Sequence, residues 1–266
     1  PTLDTDRGAT ITISLPIPLS RLGFGAYQIG RVAGQKYASV GTPMPNEAEA
    51  ELLLHGILDL GITLIDTAPA YGLSEERIGK YIRNRRDEYN LVTKVGELTV
   101  DGTCTFDFSS QGMRKSIEQS LRALQTEYVD CILLHAPPTD LAVLHETDAV
   151  ETLQQFQQEG KTKTIGFSGK TVQAQEEAIA WSDVMMIEYS IANQTNTEII
   201  ASAFASDITV LYKKVLNSGH LESREALEFI AKKTPSDAVF VKHCAVIGSS
   251  KLGRMTQNTQ LFSELE

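Results

Sequence analysis

Cysteine is scarce in this chain, with three in 266 residues, far apart and without a Cys-x-x-Cys spacing. That leaves nothing from which to build a disulfide framework or a structural zinc site, and it points to a reducing cytoplasm. No His-x-x-x-His or His-Glu-x-x-His pair occurs, so no catalytic metal is expected. Uninterrupted apolar runs stay below the roughly 18 residues that a membrane span needs, and none is indicated. The first residues, Pro1-Thr-Leu-Asp-Thr-Asp6, lack a basic region and an apolar core, so no secretory leader is expected there. Positive charge is also in deficit, with 24 Lys and Arg against 34 Asp and Glu, a net −10. Nucleic acid and acidic membrane are therefore poor partners. No linker or low-complexity stretch interrupts residues 1–266, which read as a single domain.

What is present is a repeating alternation of apolar runs, polar loops and amphipathic stretches. Thr10–Leu15 alternates and Pro16-Ile-Pro18 looks like a turn, which predicts a short N-terminal hairpin ending near Leu19. Strands are then expected at Leu22–Gly25, Ile62–Asp66, Asn90–Lys94, Tyr128–Leu134, Thr164–Ser168, Val184–Glu188, Ile208–Tyr212 and Cys244–Gly248. Helices are expected at Glu47–Leu60, Ser74–Arg83, Ser110–Leu124, Asp148–Glu159, Val172–Ala180, Asn196–Ala205 and Ser223–Lys233. Eight such units in one chain of this length favour an α/β fold of the closed (β/α)8 type, a TIM barrel, over an open doubly wound sheet.

The polar residues that end these runs carry the functional signal. Asp66 closes one strand and Tyr71-Gly72 follows in its loop; Thr93-Lys94 and Leu134-His135 close two more. In a parallel α/β fold those strand ends form the rim where chemistry is done. A phenol near an ammonium is a plausible proton donor, because a nearby cation lowers the pKa of Tyr. At the other end of the chain, Lys213-Lys214 closes the seventh strand, and Ser249-Ser250-Lys251 leads from the eighth into a short helix carrying Arg254 and Asn258. Hydroxyls, helix amides and cations make an anion site there.

Asp66-Thr-Ala-x-x-Tyr71-Gly72, Ser74-Glu75-Glu76, Thr93-Lys94, Ser120-Leu121-x-x-Leu124, Tyr128-x-Asp130 and Leu134-His135 together resemble the aldo-keto reductase superfamily. So do Gly160-Lys161-x-x-x-Ile165-Gly166-x-Ser168 and Gly248-Ser249-x-x-x-x-Arg254-x-x-x-Asn258. The resemblance spans Leu22 to Asn258. It implies a barrel that binds a nicotinamide cofactor without a Rossmann domain, and Gly23-Phe-Gly25-Ala-Tyr-Gln28 indeed lacks the third glycine of the dinucleotide fingerprint. It further implies that Tyr71 is the acid/base, assisted by Lys94, Asp66 and His135, and that Gly25, Ala26 and Tyr27 line the nicotinamide side with Ser168. By the same resemblance, Lys213 and Lys214 lie at the cofactor. Ser249, Ser250, Lys251 and Arg254 would surround the 2′-phosphate of NADPH, and Gln257 and Asn258 the adenine, with NADH the less favoured cofactor. Three positions depart from the family pattern. Gly169 stands in place of an Asn, Met186 in place of a Gln, and Lys213 where a Tyr stacks on the nicotinamide, with Tyr212 one residue early and on the other side of its strand.

The expected activity is reduction of a small aldehyde or ketone with NADPH. The alternatives are an NAD(P)-dependent sugar or polyol dehydrogenase and a slow-turnover redox sensor. Thr99–Phe108 and Ala136–Leu144 are the expected pocket loops.

Overall fold

The computed structural model describes residues 15–30, 43–100, 103–233 and 242–265. Its strands are β1 (Leu22–Gly25), β2 (Leu64–Asp66), β3 (Asn90–Val95), β4 (Glu97–Val100), β5 (Thr103–Phe106), β6 (Val129–His135), β7 (Thr162–Ser168), β8 (Val184–Glu188), β9 (Thr209–Lys213) and β10 (His243–Gly248). The α-helices are α1 (Glu47–Asp59), α2 (Ser74–Ile82), α3 (Ser110–Leu124), α4 (Asp140–Glu146), α5 (Ala149–Gln158), α6 (Val172–Ala178), α7 (Thr197–Ala205), α8 (Ser223–Lys233) and α9 (Leu252–Ser263). Eight strands close into one barrel in the order β1-β2-β3-β6-β7-β8-β9-β10 and back to β1. All eight pairings are parallel. The architecture is the (β/α)8 barrel that the alternation of runs predicts. Helix starts follow the expected chemistry: Asn46 and Glu49 exchange bonds of 2.9 and 3.0 Å in a capping box that opens α1.

Parallel strands buried on both faces do not alternate visibly in sequence, but the packing separates their two sides. Leu64, Val92, Cys131, Leu133, Val184, Met186, Leu211 and Cys244 form one buried cluster, the barrel interior. The residues between them join the larger cluster shared with the helices. One step of two residues further along each strand gives the layer at the C-terminal mouth: Asp66, Lys94, His135, Ser168, Glu188 and Lys213. Gly25 and Gly248 complete it, paired in register. The interior is apolar below and charged at the mouth.

A tight fit fixes the register. A Cβ at Gly166 would lie 1.7 Å from the Val184 carbonyl oxygen and 3.0 Å from Leu133. Backbone cannot yield as a side-chain tip can. Gly166→Ala is expected to cost at least about 1–3 kcal/mol, the usual toll of overpacking, read as a lower midpoint in chemical denaturation; an unchanged midpoint would contradict the register.

Of the expected N-terminal hairpin, residues 10–14 lie outside the described residues, and the other half, residues 15–19, forms no strand. Residues 15–20 instead cross the N-terminal end of the barrel. Ile17 N–H donates to Asn90 Oδ1 at 3.1 Å, and Asn90 Nδ2 returns a bond to Ile17 O at 2.8 Å. Leu15 and Leu19 pack against the interior cluster. Two further differences lie at the mouth. The expected loop 99–108 is largely an antiparallel hairpin, β4 on β5. Residues 136–144 are a loop only as far as Thr139, after which α4 begins. Asp140 justifies that short helix: its carboxylate accepts from Lys170 N, Thr171 N and Thr171 Oγ1 at 2.7–2.9 Å, fastening it to the turn after β7.

Candidate active site

The centre of the mouth is a lysine with its charge fully engaged. Lys94 points inward from β3, and its Nζ donates to Asp66 Oδ1 at 2.5 Å and to Thr67 O at 2.8 Å. The same Nζ sits 4.7 Å from the ring centroid of Tyr71. His135, at the end of β6, meets the Tyr71 ring edge-on with centroids 6.4 Å apart. Tyr27, just after β1, meets it edge-on from another side at 5.2 Å. The four residues expected to act together, Asp66, Tyr71, Lys94 and His135, thus converge at one end of the barrel.

Tyr71 is positioned by a short 3-10 turn, Pro69–Tyr71, in which Tyr71 N–H donates to Ala68 O at 2.9 Å. The turn is braced from behind. Thr67 Oγ1 and Ser74 Oγ lie 2.9 Å apart, and Ser74 Oγ donates to Ala26 O at 3.1 Å. Gly30 packs so close that a Cβ there would sit 2.1 Å from Tyr71 O. The phenol is therefore delivered by backbone contacts between the loops after β1 and β2.

The electrostatics revise one expectation. Lys94 was expected to lower the pKa of Tyr71. Burial is the larger influence, and although Lys94 pulls the other way, the phenol is pushed up to about 12. Tyr71 is a protonated donor at neutral pH. For Lys94, burial works against the charge, but Asp66 and Tyr71 outweigh it and hold the ammonium above its ordinary value. Burial also pushes the Asp66 carboxyl up, against the pull of Lys94. His135 is pushed down to about 4 by burial, despite the Glu97 carboxylate beside it, and is a neutral imidazole.

Glu97 is a mouth residue that sequence reasoning missed. It opens β4, and its Oε2 lies 3.0 Å from His135 Nδ1, off the axis of the ring N–H. The alternation of 97–100 and 103–106 around Asp101-Gly102 was a hairpin signal; that the hairpin would bring Glu97 to His135 was not in the sequence. Glu188, also missed, ends β8 in the inward layer; its carboxylate accepts from Lys214 Nζ at 2.5 Å and from Asn193 Nδ2 at 3.0 Å.

The expected cofactor residues divide. Ser168 is buried and its Oγ accepts from Lys213 Nζ at 3.0 Å. Lys213 and Lys214 do not form one cationic pair: Lys213 turns into the mouth, while Lys214, at φ 57°, turns out to Glu188. Burial first, then the cations Lys170, Lys214 and Lys94, push Lys213 down to about 7. Tyr212 faces away from the mouth, against Tyr189 and His243. Ser249 and Ser250 are buried just past β10. Lys251 is exposed and ion-paired to Glu49 at 3.1 Å. Arg254 and Gln257 are exposed on α9, and Arg254 has no ion pair among the described residues. Asn258 is buried with its Nδ2 unbonded. These features fit a nicotinamide dinucleotide. Gly25 and Gly248 leave side-chain-free wall in the mouth layer, the start of α9 carries no acidic residue, and an orphaned amide awaits a partner. The cleft of about 490 Å³ lined by Pro69, Gly72, Glu75, Leu98 and Lys115 lies behind the Tyr71 turn and not over the reacting groups.

With this geometry in place, the likeness to known proteins is specific. The model of the "Aldo/keto reductase family" matches residues 21–266. A solved structure from Pseudomonas aeruginosa, described as an aldo-keto reductase, superposes with a TM-score of 0.83 at 32% identity, covering 96% of this chain and 94% of that one. The L-galactose dehydrogenase of Arabidopsis thaliana is 36% identical over 160 residues, 58% of this chain but 46% of its own length. The D-threo-aldose 1-dehydrogenase of Pseudomonas sp. is 29% identical over 251 residues, 84% of this chain and 73% of its own. The chain belongs to the aldo/keto reductase family of NAD(P)H-dependent oxidoreductases.

Proposed function

We propose that this protein reduces small aldehydes or ketones to alcohols with NADPH, and that Tyr71 is the proton donor. The observation that carries the reading is the Lys94 ammonium, bonded at 2.5 Å to Asp66 and 4.7 Å from the Tyr71 ring. A reduced nicotinamide, when bound, supplies the hydride to the carbonyl carbon. As negative charge builds on the carbonyl oxygen, Tyr71 gives it the hydroxyl proton, and the C=O π pair becomes the new O–H bond. Lys94 then faces a phenolate and stabilises it, while Asp66 keeps the ammonium in place and charge-balanced. His135, uncharged, contributes a hydrogen bond that orients the oxygen. Ser168, Gly25, Ala26 and Tyr27 would hold the nicotinamide end, and Ser249, Ser250 and Arg254 an anionic group near the start of α9. Asn258 and Gln257 would meet the adenine.

NADPH is expected to bind more tightly than NADH. Among the described residues Arg254 has no ion pair to give up, whereas Lys251 would first have to leave Glu49. Arg254→Ala is expected to weaken NADPH about ten-fold or more and leave NADH nearly unchanged, since one charge-assisted contact is lost. Fluorescence titration with both cofactors checks this; equal affinities in the intact protein would contradict the preference.

One contact favours a second reading. If the His135 proton sits on Nδ1 toward Glu97, Nε2 is left as an acceptor, suited to a substrate hydroxyl. The enzyme would then oxidise an alcohol, as the sugar dehydrogenases among its relatives are named for doing. Initial rates with aldehydes, ketones and sugars, in both directions and with both cofactor pairs, decide between the two. Activity in neither direction would defeat both.

A further inference from the structure

Lys213 carries an amine into the mouth that no carboxylate holds. Its Nζ donates to two neutral oxygens, Ser168 Oγ at 3.0 Å and Gly169 O at 3.1 Å, and no carboxylate lies within ion-pairing distance among the described residues. Glu188 is its in-register neighbour across β8 and β9, yet that carboxylate is turned to Lys214 and Asn193. The mouth as a whole has no positive surplus, because Glu97 keeps its charge beside a neutral His135. What sets Lys213 apart is where it stands.

On one side its two bonds fasten it to the end of β7, where Ser168 pairs in register with His135. On the other side β9 adjoins β10, which leads into Ser249, Ser250 and the start of α9. Lys213 therefore stands between the proposed anion site and the reacting groups. A dinucleotide anchored at α9 has to bring its redox ring past this wall. The facing wall is taken by Asp66, Tyr71, Lys94 and His135, which have to meet the carbonyl. Behind burial, the larger influence in each case, the Lys213 charge acts on His135 and, with Lys94, on Asp66. A ring held between the two walls lies in the same field.

NADPH and NADP+ share their adenine, riboses and phosphates. They differ in the nicotinamide, which is neutral when reduced and cationic when oxidised. An aromatic face would attract a cationic ring. An ammonium opposes it and leaves the neutral ring almost untouched. The opposition is also adjustable. Burial first, then Lys170 after β7, Lys214 next in the chain and Lys94 on β3 push Lys213 down to about 7, against the pull of Glu188 on β8. Its charge is present in mild acid and leaves as pH rises. The other groups facing the mouth hold steady there: His135 charges only near 4 and Tyr71 ionises only near 12.

We propose that Lys213 is a specificity-determining residue for the redox state of the cofactor: its ammonium disfavours the cationic oxidised ring and spares the neutral reduced one. The inference rests on the nicotinamide reading above and deepens it, since a charged Lys213 favours holding NADPH and releasing NADP+, the order that carbonyl reduction needs.

The test is the ratio of Kd for NADP+ to Kd for NADPH, measured by calorimetry in steps from about pH 5.5 to about pH 9. The 2′-phosphate titrates in both forms and cancels in the ratio, as does a general loss of affinity. For the wild type the ratio is expected to be about ten-fold or more higher at the acid end than at the alkaline end, the equivalent of one pKa unit of coupling between ring and amine. Lys213→Met should give a flat ratio at the wild-type alkaline level. Lys213→Arg, charged throughout, should give a flat ratio at the acid level. Lys213→Gln, which keeps polar reach toward Ser168 and Gly169, serves if the Met variant does not fold. Buffers of different ionisation enthalpy give a second readout: at neutral pH the wild type should release more protons on binding NADP+ than NADPH, and the uncharged variants should lose that difference. A wild-type ratio that does not change with pH, or one that changes equally in the uncharged variants, overturns the proposal while leaving carbonyl reduction intact. Binding of neither cofactor by the wild type defeats the nicotinamide reading itself.

Discussion

Tyr71→Phe should abolish nearly all carbonyl reduction while sparing cofactor binding. The substitution removes one hydroxyl and keeps the ring, so the contacts to Tyr27 and His135 at 5.2 and 6.4 Å can persist. A positioned general acid contributes about 10²–10⁴ in rate, and turnover is expected to fall about a thousand-fold. Affinity for NADPH should stay within about two-fold, since the lost group serves proton transfer and not binding. The pH profile carries a second expectation. Tyr71 acts in its protonated form, and burial, opposed by Lys94, holds it at about 12. Its contribution is complete below that value and fades only as pH rises through it. His135, pushed down to about 4 by burial, is already neutral above that value and charges only in stronger acid. Neither group should therefore bend the wild-type reductase profile between about pH 6 and about pH 10. Near-normal turnover in Tyr71→Phe, measured under saturating cofactor, would remove Tyr71 from its assigned role.

The four residues of that cluster were legible because each follows an apolar run, and chain order alone takes such residues to the rim of a parallel barrel. Their mutual distances were not legible. The position of Tyr71 depends on how Gly30 and Ser74 brace its turn, contacts between loops that sequence spacing does not encode. Strand ends were readable to within two residues, as with Leu22–Gly25 and Val184–Glu188, because turn residues bound them. The divergent fates of Lys213 and Lys214 were hidden for a different reason. A strand buried on both faces shows no hydrophobic alternation to say which side a residue takes, and the positive φ of Lys214 turns it away from its neighbour. Glu97 and α4 were missed because both depend on tertiary partners: His135 for the first, and the turn at 170–171 bonded by Asp140 for the second.

Lys94→Met is expected to damage both stability and catalysis, and the two effects can be separated. Lys94 and Asp66 side chains are 1% and 6% exposed, so removing the ammonium leaves a carboxylate stranded in the interior. Breaking a buried pair in this way costs about 3–5 kcal/mol. The cost should depend on pH in a defined direction. Burial already raises the Asp66 pKa in the intact protein, and without Lys94 only the weaker pull of Lys213 opposes it. The folded variant then holds a proton that the unfolded chain, with its carboxyl near about 3.9, gives up as pH rises. The deficit relative to wild type is therefore small in acid and grows only as pH climbs from the raised folded value of the intact protein toward the still higher one of the variant. Adding Asp66→Asn removes the stranded charge, so the double variant should regain much of the stability and lose that slope. Turnover should not return. The phenolate left by proton transfer would still lack its cation, and loss of one such electrostatic partner costs about 10²–10³ in rate. Denaturation midpoints across pH, measured for wild type, Lys94→Met and Lys94→Met/Asp66→Asn beside their turnover, separate the two roles. Equal stability of the single variant and wild type at neutral pH would mean that the ion pair does not hold the mouth together. Recovery of turnover in the double variant would mean that Lys94 acts only by neutralising Asp66 and not on Tyr71.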